Sequence, residues 1–191
     1  MGKPGSFIKR CTDIAISIIL LIISLPIIII VIIAIKLDSK GPAFFVQDRT
    51  GLDGKPFKII KFRGMVNNAM EIGPELTQRD DPRITRVGKI LRRTSLDEIP
   101  QMINVLKGEM SLVGPRPEIT SITSKYSKEQ KEVFIFKPGI TGYSQINGRQ
   151  LLSPEKRIKM ELQYYSNANF WSDLLIAIST FKVILSNEGN L

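Results

Sequence analysis

The chain has 191 residues, with 27 Lys and Arg against 18 Asp and Glu, a formal net charge of +9 and no histidine. That length suits one domain of ordinary size plus an appendage, and the positive balance points to an anionic partner: nucleic acid, acidic headgroups or a phosphorylated metabolite. The single cysteine, Cys11, and the missing histidines exclude a disulfide framework, a Cys/His metal site and imidazole chemistry. Reaction chemistry near neutral pH then falls to carboxylates, lysines, tyrosines or that thiol, and any metal is a hard, oxygen-liganded ion such as magnesium.

The stretch from Ile14 to Ile35 carries no charge and is bracketed by Asp13 and Lys36. As a helix it reaches about 33 Å, enough for the hydrocarbon core of a bilayer. A signal peptide has a shorter apolar region and a small-residue cleavage site, which residues 36–40 do not offer. Pro26 lies near the midpoint and removes one backbone donor, and Ser24 is placed to satisfy a freed carbonyl. Two readings fit: a kinked spanning helix, or a helix that breaks at Pro26, dips into one leaflet and returns. Basic residues on both flanks (Lys3, Lys9, Arg10; Lys36, Lys40) and a basic body place everything on the cytoplasmic side, which favours the return.

Beyond Gly41-Pro42, residues Ala43–Gln47 and Pro56–Phe62 read as short strands joined by a turn at Leu52-Asp53-Gly54-Lys55, a basic ribbon carrying Arg49, Lys58, Lys61 and Arg63. Residues 66–82, with Gly73-Pro74 and Asp81-Pro82, read as a loop or a loosely helical excursion. Arg83–Leu91 resumes a helical rhythm, with Val87, Ile90 and Leu91 apolar and Arg86, Lys89 and Arg93 on another face: a solvated face, or one for headgroups or phosphates. A short helix from Leu96 or Pro100 to Lys107 closes at Gly108, and Ser153-Pro154 opens another reaching Tyr165. Residues 171–185 form a last amphipathic helix, with Leu174, Leu175, Ile178, Phe181 and Leu185 at core-like spacing. Tyr164, Tyr165, Phe170 and Trp171 precede it as core or as an interfacial belt.

The adjacent carboxylates Asp97 and Glu98, close to Lys89, Arg92 and Arg93, have two readings. Ser95 and Glu98 fit a capping box, with Asp97 merely favouring the helix dipole. Alternatively, an ionised carboxylate at a helix start attacks phosphorus while its neighbour holds magnesium. Gly114-Pro115-Arg116-Pro117 is a stiff turn presenting one arginine, a form suited to phosphate recognition. Residues 136–142 and Asn147-Gly148-Arg149 are further glycine-punctuated loops with one cation each.

These motifs, with Lys9-Arg10-x-x-Asp13, Asp48-Arg49-x-Gly51, Lys61-Phe62-Arg63-x-Met65, Asp81-Pro82-Arg83-Ile84-Thr85-Arg86 and Asn104-Val105-Leu106-Lys107-Gly108, stand in one order. Over about residues 9–186 the chain resembles the bacterial sugar transferases, specifically the small monotopic phosphoglycosyl transferases, or polyprenyl-phosphate sugar-1-phosphate transferases. It is similar to their minimal catalytic core; longer members carry further regions upstream.

The resemblance implies an α+β fold. A Pro-broken, re-entrant membrane helix within residues 1–40 precedes a small, mostly helical catalytic domain over 41–191, with a β-hairpin and interfacial amphipathic helices. It implies transfer of a sugar-1-phosphate from a UDP-sugar to a polyprenyl phosphate such as undecaprenyl phosphate, with UMP released, as the first membrane step of bacterial glycan assembly. By resemblance Asp97 is the nucleophile that takes on a covalent phosphosugar and Glu98 the magnesium ligand. Arg116 and Arg149 lie around the phosphates, joined by Lys61, Arg63 and Arg92, and Asp173 orients an arginine.

The implied place is the cytoplasmic face of the bacterial inner membrane, with membrane lipids as partners and an oligomer open. Two departures stand out: Leu25 separates Ser24 from Pro26, and Gly64 stands where Thr is commoner. The rival class is a membrane-tethered module that binds nucleic acid or acidic lipid through residues 83–93. That stretch lacks aromatics for base stacking, which counts against nucleic acid.

Overall fold

The computed structural model describes residues 7–78, 80–148 and 152–186. It is an α+β fold in which one long N-terminal helix, α1 (Phe7–Asp38), leans on a body of short helices and two small sheets. By length and composition α1 is apolar enough to cross a membrane, and its middle is uncovered: Ile18, Ile19, Ile22, Ile23, Leu25, Ile27, Ile29 and Ile30 are exposed. α1 is helical throughout Phe7–Asp38 with Pro26 inside it, and the expected break and return at Pro26 are not shown. Proline costs the helix one hydrogen bond and a steric contact, and an otherwise regular apolar helix continues past it.

Both ends of α1 are fastened to the body, and the Lys9-Arg10-x-x-Asp13 motif does the fastening at the start. Lys9 pairs with Asp173 and donates to the Val113 carbonyl (3.1 Å), while Arg10 donates to the Val105 and Leu106 carbonyls (2.5 and 2.8 Å). Buried Asp13 accepts from Ser111 Oγ (2.8 Å) and the Leu112 amide (3.2 Å). At the other end Val31 and Ile35 join a core with Ala43, Phe62 and Leu91, and Asp38 Oδ2 accepts from the Val87 amide (3.0 Å). Asp13→Ala leaves two buried donors without an acceptor, so it is expected to lower stability by about 2–3 kcal/mol in detergent-solubilised protein, read as thermal unfolding.

The ribbon forms as expected and extends further. Strand β1 (Phe44–Thr50) pairs antiparallel with β2 (Pro56–Phe62), from Phe44 opposite Phe62 to Thr50 opposite Pro56. β1 runs on through polar Asp48 and Arg49 because its end also bridges to Ile119, a contact invisible to local pattern. The turn places Asp53 (φ 55°) and Gly54 (φ 74°) in the left-handed region, where Asp and Gly are tolerated best. The described residues of 66–82 are loop apart from α2 (Ala69–Ile72), and buried Arg83 organises them: it pairs with Asp81 (2.6 Å) and donates to the Ala69 and Pro74 carbonyls (2.7 Å each).

Helix α3 (Arg86–Thr94) starts three residues later than the rhythm suggested, because Thr85 caps it, accepting from the Gly88 amide (3.0 Å). Gly88 lies against the Gly64 backbone with no room for a Cβ. Helix α4 (Gln101–Lys107) ends at Gly108 (φ 86°), as expected. Its fully buried Asn104 completes the open edge of β2, accepting from the Ile60 amide (3.0 Å) and donating to the Lys58 carbonyl (2.7 Å). A parallel pair, β3 (Ser111–Val113) and β4 (Gly139–Thr141), went unread: three-residue strands carry no alternation to detect.

Short helices α5 (Thr120–Thr123), α6 (Lys128–Lys131) and α7 (Tyr143–Ile146) connect to α8 (Pro154–Tyr165), opened by Ser153 as its cap. Helix α9 (Phe170–Ser186) corrects an expectation. Ile176 is its buried residue, whereas Leu174, Leu175 and Ile178 are exposed with Phe170 and Trp171. The side chains of Phe181 and Leu185 lie outside the described ones. The aromatics divide: Tyr165 is buried and Tyr164 stacks on Tyr143 (4.3 Å), while Phe170 and Trp171 face outward.

Buried Glu161 ties α8 to α7, accepting from the Ser144 amide (3.2 Å) and from Ser144 Oγ, and burial raises its carboxyl from 4.5 to about 7. The folded state therefore holds this proton more tightly than the unfolded chain. Stability falls as pH rises from 4.5 to about 7 and levels off above. Glu161→Gln is expected to abolish that decline and add no more than about 3 kcal/mol above neutrality, measured by denaturant unfolding across pH.

Candidate active site

The carboxylate pair sits where α3 ends. Ser95 adopts a left-handed conformation (φ 56°), its amide bonded to the Arg92 carbonyl (3.2 Å), and a single 3-10 turn over Leu96–Glu98 follows. The capping-box reading fails: the Ser95 side chain caps nothing, and the Glu98 side chain turns away from it. Pro100 then serves as the N-cap position of α4, where its missing donor matters least.

Glu98 Oε1 accepts from Lys61 Nζ (3.0 Å), carried in by β2, and from both terminal nitrogens of Arg116 (3.4 Å each). Burial opposes its charge, but Lys61 and Arg116 more than offset that and hold its carboxyl down at about 2. Asp97 behaves oppositely. Burial pushes its carboxyl up, with Glu98 adding repulsion, against Lys61, Arg92 and Arg116. It makes no side-chain hydrogen bond among the described residues. One carboxylate is thus held by cations and its neighbour is left open, which gives the pair two different chemistries.

Arg116 reaches the pair from the Gly114–Pro117 turn, which nests against β4: the Gly114 amide donates to the Thr141 carbonyl and the Gly139 amide to the Pro115 carbonyl (2.9 Å each). Gly114 is required, since a Cβ there would collide with the Lys137 carbonyl. Arg92, half-buried on α3, has its guanidinium pKa lowered by burial and is attracted more by Asp97 than by any other carboxylate, and it donates to Thr77 Oγ1 (3.2 Å). Lys61, Arg92 and Arg116 therefore surround Asp97 and Glu98 as expected.

Two expected contributors do not join them. Arg63 is buried at the exit of α1, donating to the Ser39 and Lys40 carbonyls (2.8 and 2.5 Å), so it holds the end of α1 and not the pair. Asp173 pairs with Lys9, not with an arginine. Arg149 lies outside the described residues. Sequence reading passed over Arg49, whose guanidinium lies behind Arg116; the signal was its place in the Asp48-Arg49-x-Gly51 motif.

Magnesium binds through one or two carboxylates plus phosphate oxygens and water, and needs no protein cage. The Asp97 carboxylate and Glu98 Oε2, which takes no hydrogen bond among the described residues, are a hard donor set of that kind. No cluster of three or more candidate ligands occurs among the described residues, so a magnesium ion held there would need its remaining ligands from outside the protein. A cavity beside the turn is lined by Arg116, Glu118, Tyr126, Phe136, Arg157 and Glu161. On the other side, Leu96 and Ile99 pack on the core that Val31 and Ile35 of α1 share with Ala43, Phe62 and Leu91.

A family model described as bacterial sugar transferase matches residues 4–187. The chain is 40% identical over 190 residues to the UDP-N-acetylgalactosamine-undecaprenyl-phosphate N-acetylgalactosaminephosphotransferase of Aeromonas hydrophila, covering 96% of this chain and 45% of that one. It is 43% identical over 193 residues to the UDP-glucose:undecaprenyl-phosphate glucose-1-phosphate transferase of Escherichia coli K12, covering 95% and 41%. A sugar transferase of Bacillus subtilis, EpsL, is 41% identical over 182 residues, covering 95% and 89%. The chain thus spans less than half the length of the first two relatives. With the family model matched over residues 4–187, the chain belongs to the bacterial sugar transferases.

Proposed function

We propose that this protein transfers a sugar-1-phosphate from a UDP-sugar to a membrane polyprenyl phosphate such as undecaprenyl phosphate, at the start of glycan assembly. The observation that carries the reading is the split pair: an open carboxylate, Asp97, beside one pinned by Lys61 and Arg116, on a turn packed on the core that the apolar helix shares. An Asp97 oxygen attacks the β-phosphorus of the donor, the bond from that phosphorus to the bridging oxygen breaks, and UMP leaves. The phosphosugar is then joined to Asp97 as an acyl phosphate. A phosphate oxygen of the polyprenyl phosphate attacks the same phosphorus, and the Asp97 carboxylate departs.

Lys61, Arg92, Arg116 and Arg149 offset the repulsion between an anionic nucleophile and an anionic diphosphate. Asp97 and Glu98 would hold a magnesium ion, which when bound supplies further positive charge to the phosphate oxygens. The covalent relay lets a water-soluble donor and a buried lipid use one site in turn.

The reading includes a re-entrant α1 and a body on the cytoplasmic face. Its support is that both ends of α1 are fastened to one body, so both ends share one side of the bilayer. Pro26, where a backbone bond is missing, is the place where α1 can bend. The exposed Phe170, Trp171, Leu174, Leu175 and Ile178 give α9 an apolar outer face suited to lipid at the interface.

UMP release from a panel of UDP-sugars, with and without polyprenyl phosphate, tests the reaction and identifies the sugar; no release with any donor would overturn it. For topology, single cysteines at Ile8→Cys and Lys40→Cys in a Cys11→Ser background should both react with an impermeant maleimide only after the cytoplasm is opened. Labelling of position 8 in intact spheroplasts would make α1 a span.

A further inference from the structure

Arg49 lies in a motif that the reaction above leaves unused, and its surroundings are unusual for a surface-ribbon arginine. Burial and the neighbouring Arg116 lower its guanidinium to about 10, against Glu118, Glu75 and Glu98. A second guanidinium is therefore kept close behind Arg116 despite the repulsion.

The geometry of the Gly114–Pro117 turn supplies the reason. Prolines at 115 and 117 have no N–H, so the arginine-bearing part of the turn is anchored by its carbonyls. On one side the Pro115 carbonyl accepts from the Gly139 amide of β4 (2.9 Å). On the other, the Pro117 carbonyl accepts from Arg49 Nη1 (3.1 Å), and the Glu118 carbonyl accepts from the Thr50 amide (3.0 Å). Arg49 also bridges to Ile119, and buried Thr50 bonds Thr123 through its hydroxyl (2.5 Å). Arg116 meets Glu98 at 3.4 Å, a long contact, so the clamped backbone adds to the aim its ion pair gives it.

We infer that Arg49 is a positioning residue for Arg116. Its guanidinium forms the β1-side jaw of a clamp on the proline-flanked turn and so holds Arg116 toward Glu98 and the donor phosphates. Arg49 is turned toward protein partners, with Nη1 donating to the Pro117 carbonyl (3.1 Å) and Nη2 to Gln47 Oε1 (2.8 Å), while its Nε is buried without a hydrogen-bond partner among the described residues. The inference rests on the proposed role of Arg116 and deepens it: the Asp48-Arg49-x-Gly51 and Gly-Pro-Arg-Pro motifs become one device.

A double-mutant cycle on the full chain tests it, with UMP release as the readout and thermal unfolding as a check on folding. Arg49→Gln is expected to lower kcat/KM by about ten- to a hundredfold, the usual worth of a hydrogen bond from a charged donor. Arg49→Lys should recover part of that, because an ammonium can still donate to the Pro117 carbonyl. In an Arg116→Gln background, Arg49→Gln should change the rate by less than about twofold, since the group it serves is gone. An equal loss in both backgrounds would overturn the inference and mean that Arg49 acts by itself. If Arg49→Gln does not fold, the same cycle with Arg49→Lys decides between coupling and additivity. Wild-type UMP release from Arg116→Gln alone would instead overturn the proposed role of Arg116, a failure visible before the cycle is closed.

Discussion

Asp97→Asn is expected to reduce UMP release by about four or more orders of magnitude, as removal of a nucleophile does. Two further signatures separate this from a loss of binding. Wild-type protein should exchange labelled UMP into the UDP-sugar without polyprenyl phosphate and gain the mass of a phosphosugar on Asp97, and the variant should do neither. It should also unfold at a higher temperature than wild type at neutral pH. Burial raises the Asp97 carboxyl in the folded state. Ionised Asp97 therefore costs stability at every pH above its folded value, and asparagine removes that cost. The same raised value means that transfer falls on acidification earlier than an ordinary aspartate would dictate. Full activity in Asp97→Asn would overturn the mechanism.

Glu98→Gln should lower transfer by roughly two to three orders of magnitude, the scale of losing one preorganised electrostatic group. The amide keeps the shape and can still accept from Lys61, but it removes the negative charge that Lys61 and Arg116 converge on. It also removes one hard oxygen donor, so half-maximal activity should need about ten- to a hundredfold more magnesium. A variant with reduced rate and unchanged magnesium dependence would leave Glu98 as a partner for the cations alone. Unchanged rate and unchanged metal dependence together would take it out of the site.

Residues whose role is local were readable from sequence. The apolar run of α1, the hairpin, the Gly108 stop and the Ser153-Pro154 start each depend on neighbours within a turn or two, where periodicity and capping carry the information. Residues whose partners are distant were read less well. Arg63 and Arg116 are both arginines among family motifs, yet one bonds carbonyls at the end of α1 and the other meets Glu98. Leu174, Leu175 and Ile178 have core-like spacing but face outward, because helical period marks one apolar face without saying what covers it. The β3–β4 pair escaped because pairing across 28 positions leaves no trace in three-residue strands.

From residue order alone came the long apolar segment, the hairpin and an ordered set of motifs; through the family resemblance those motifs carry came the α+β class and the expected roles of Asp97 and Glu98. Only three dimensions separated the two carboxylates, one pinned by Lys61 and Arg116 and the other left open. Only three dimensions, too, fastened both ends of α1 to one body. Charge pairing and anchoring depend on which side chains distant segments bring within a few ångströms, and that is a property of packing.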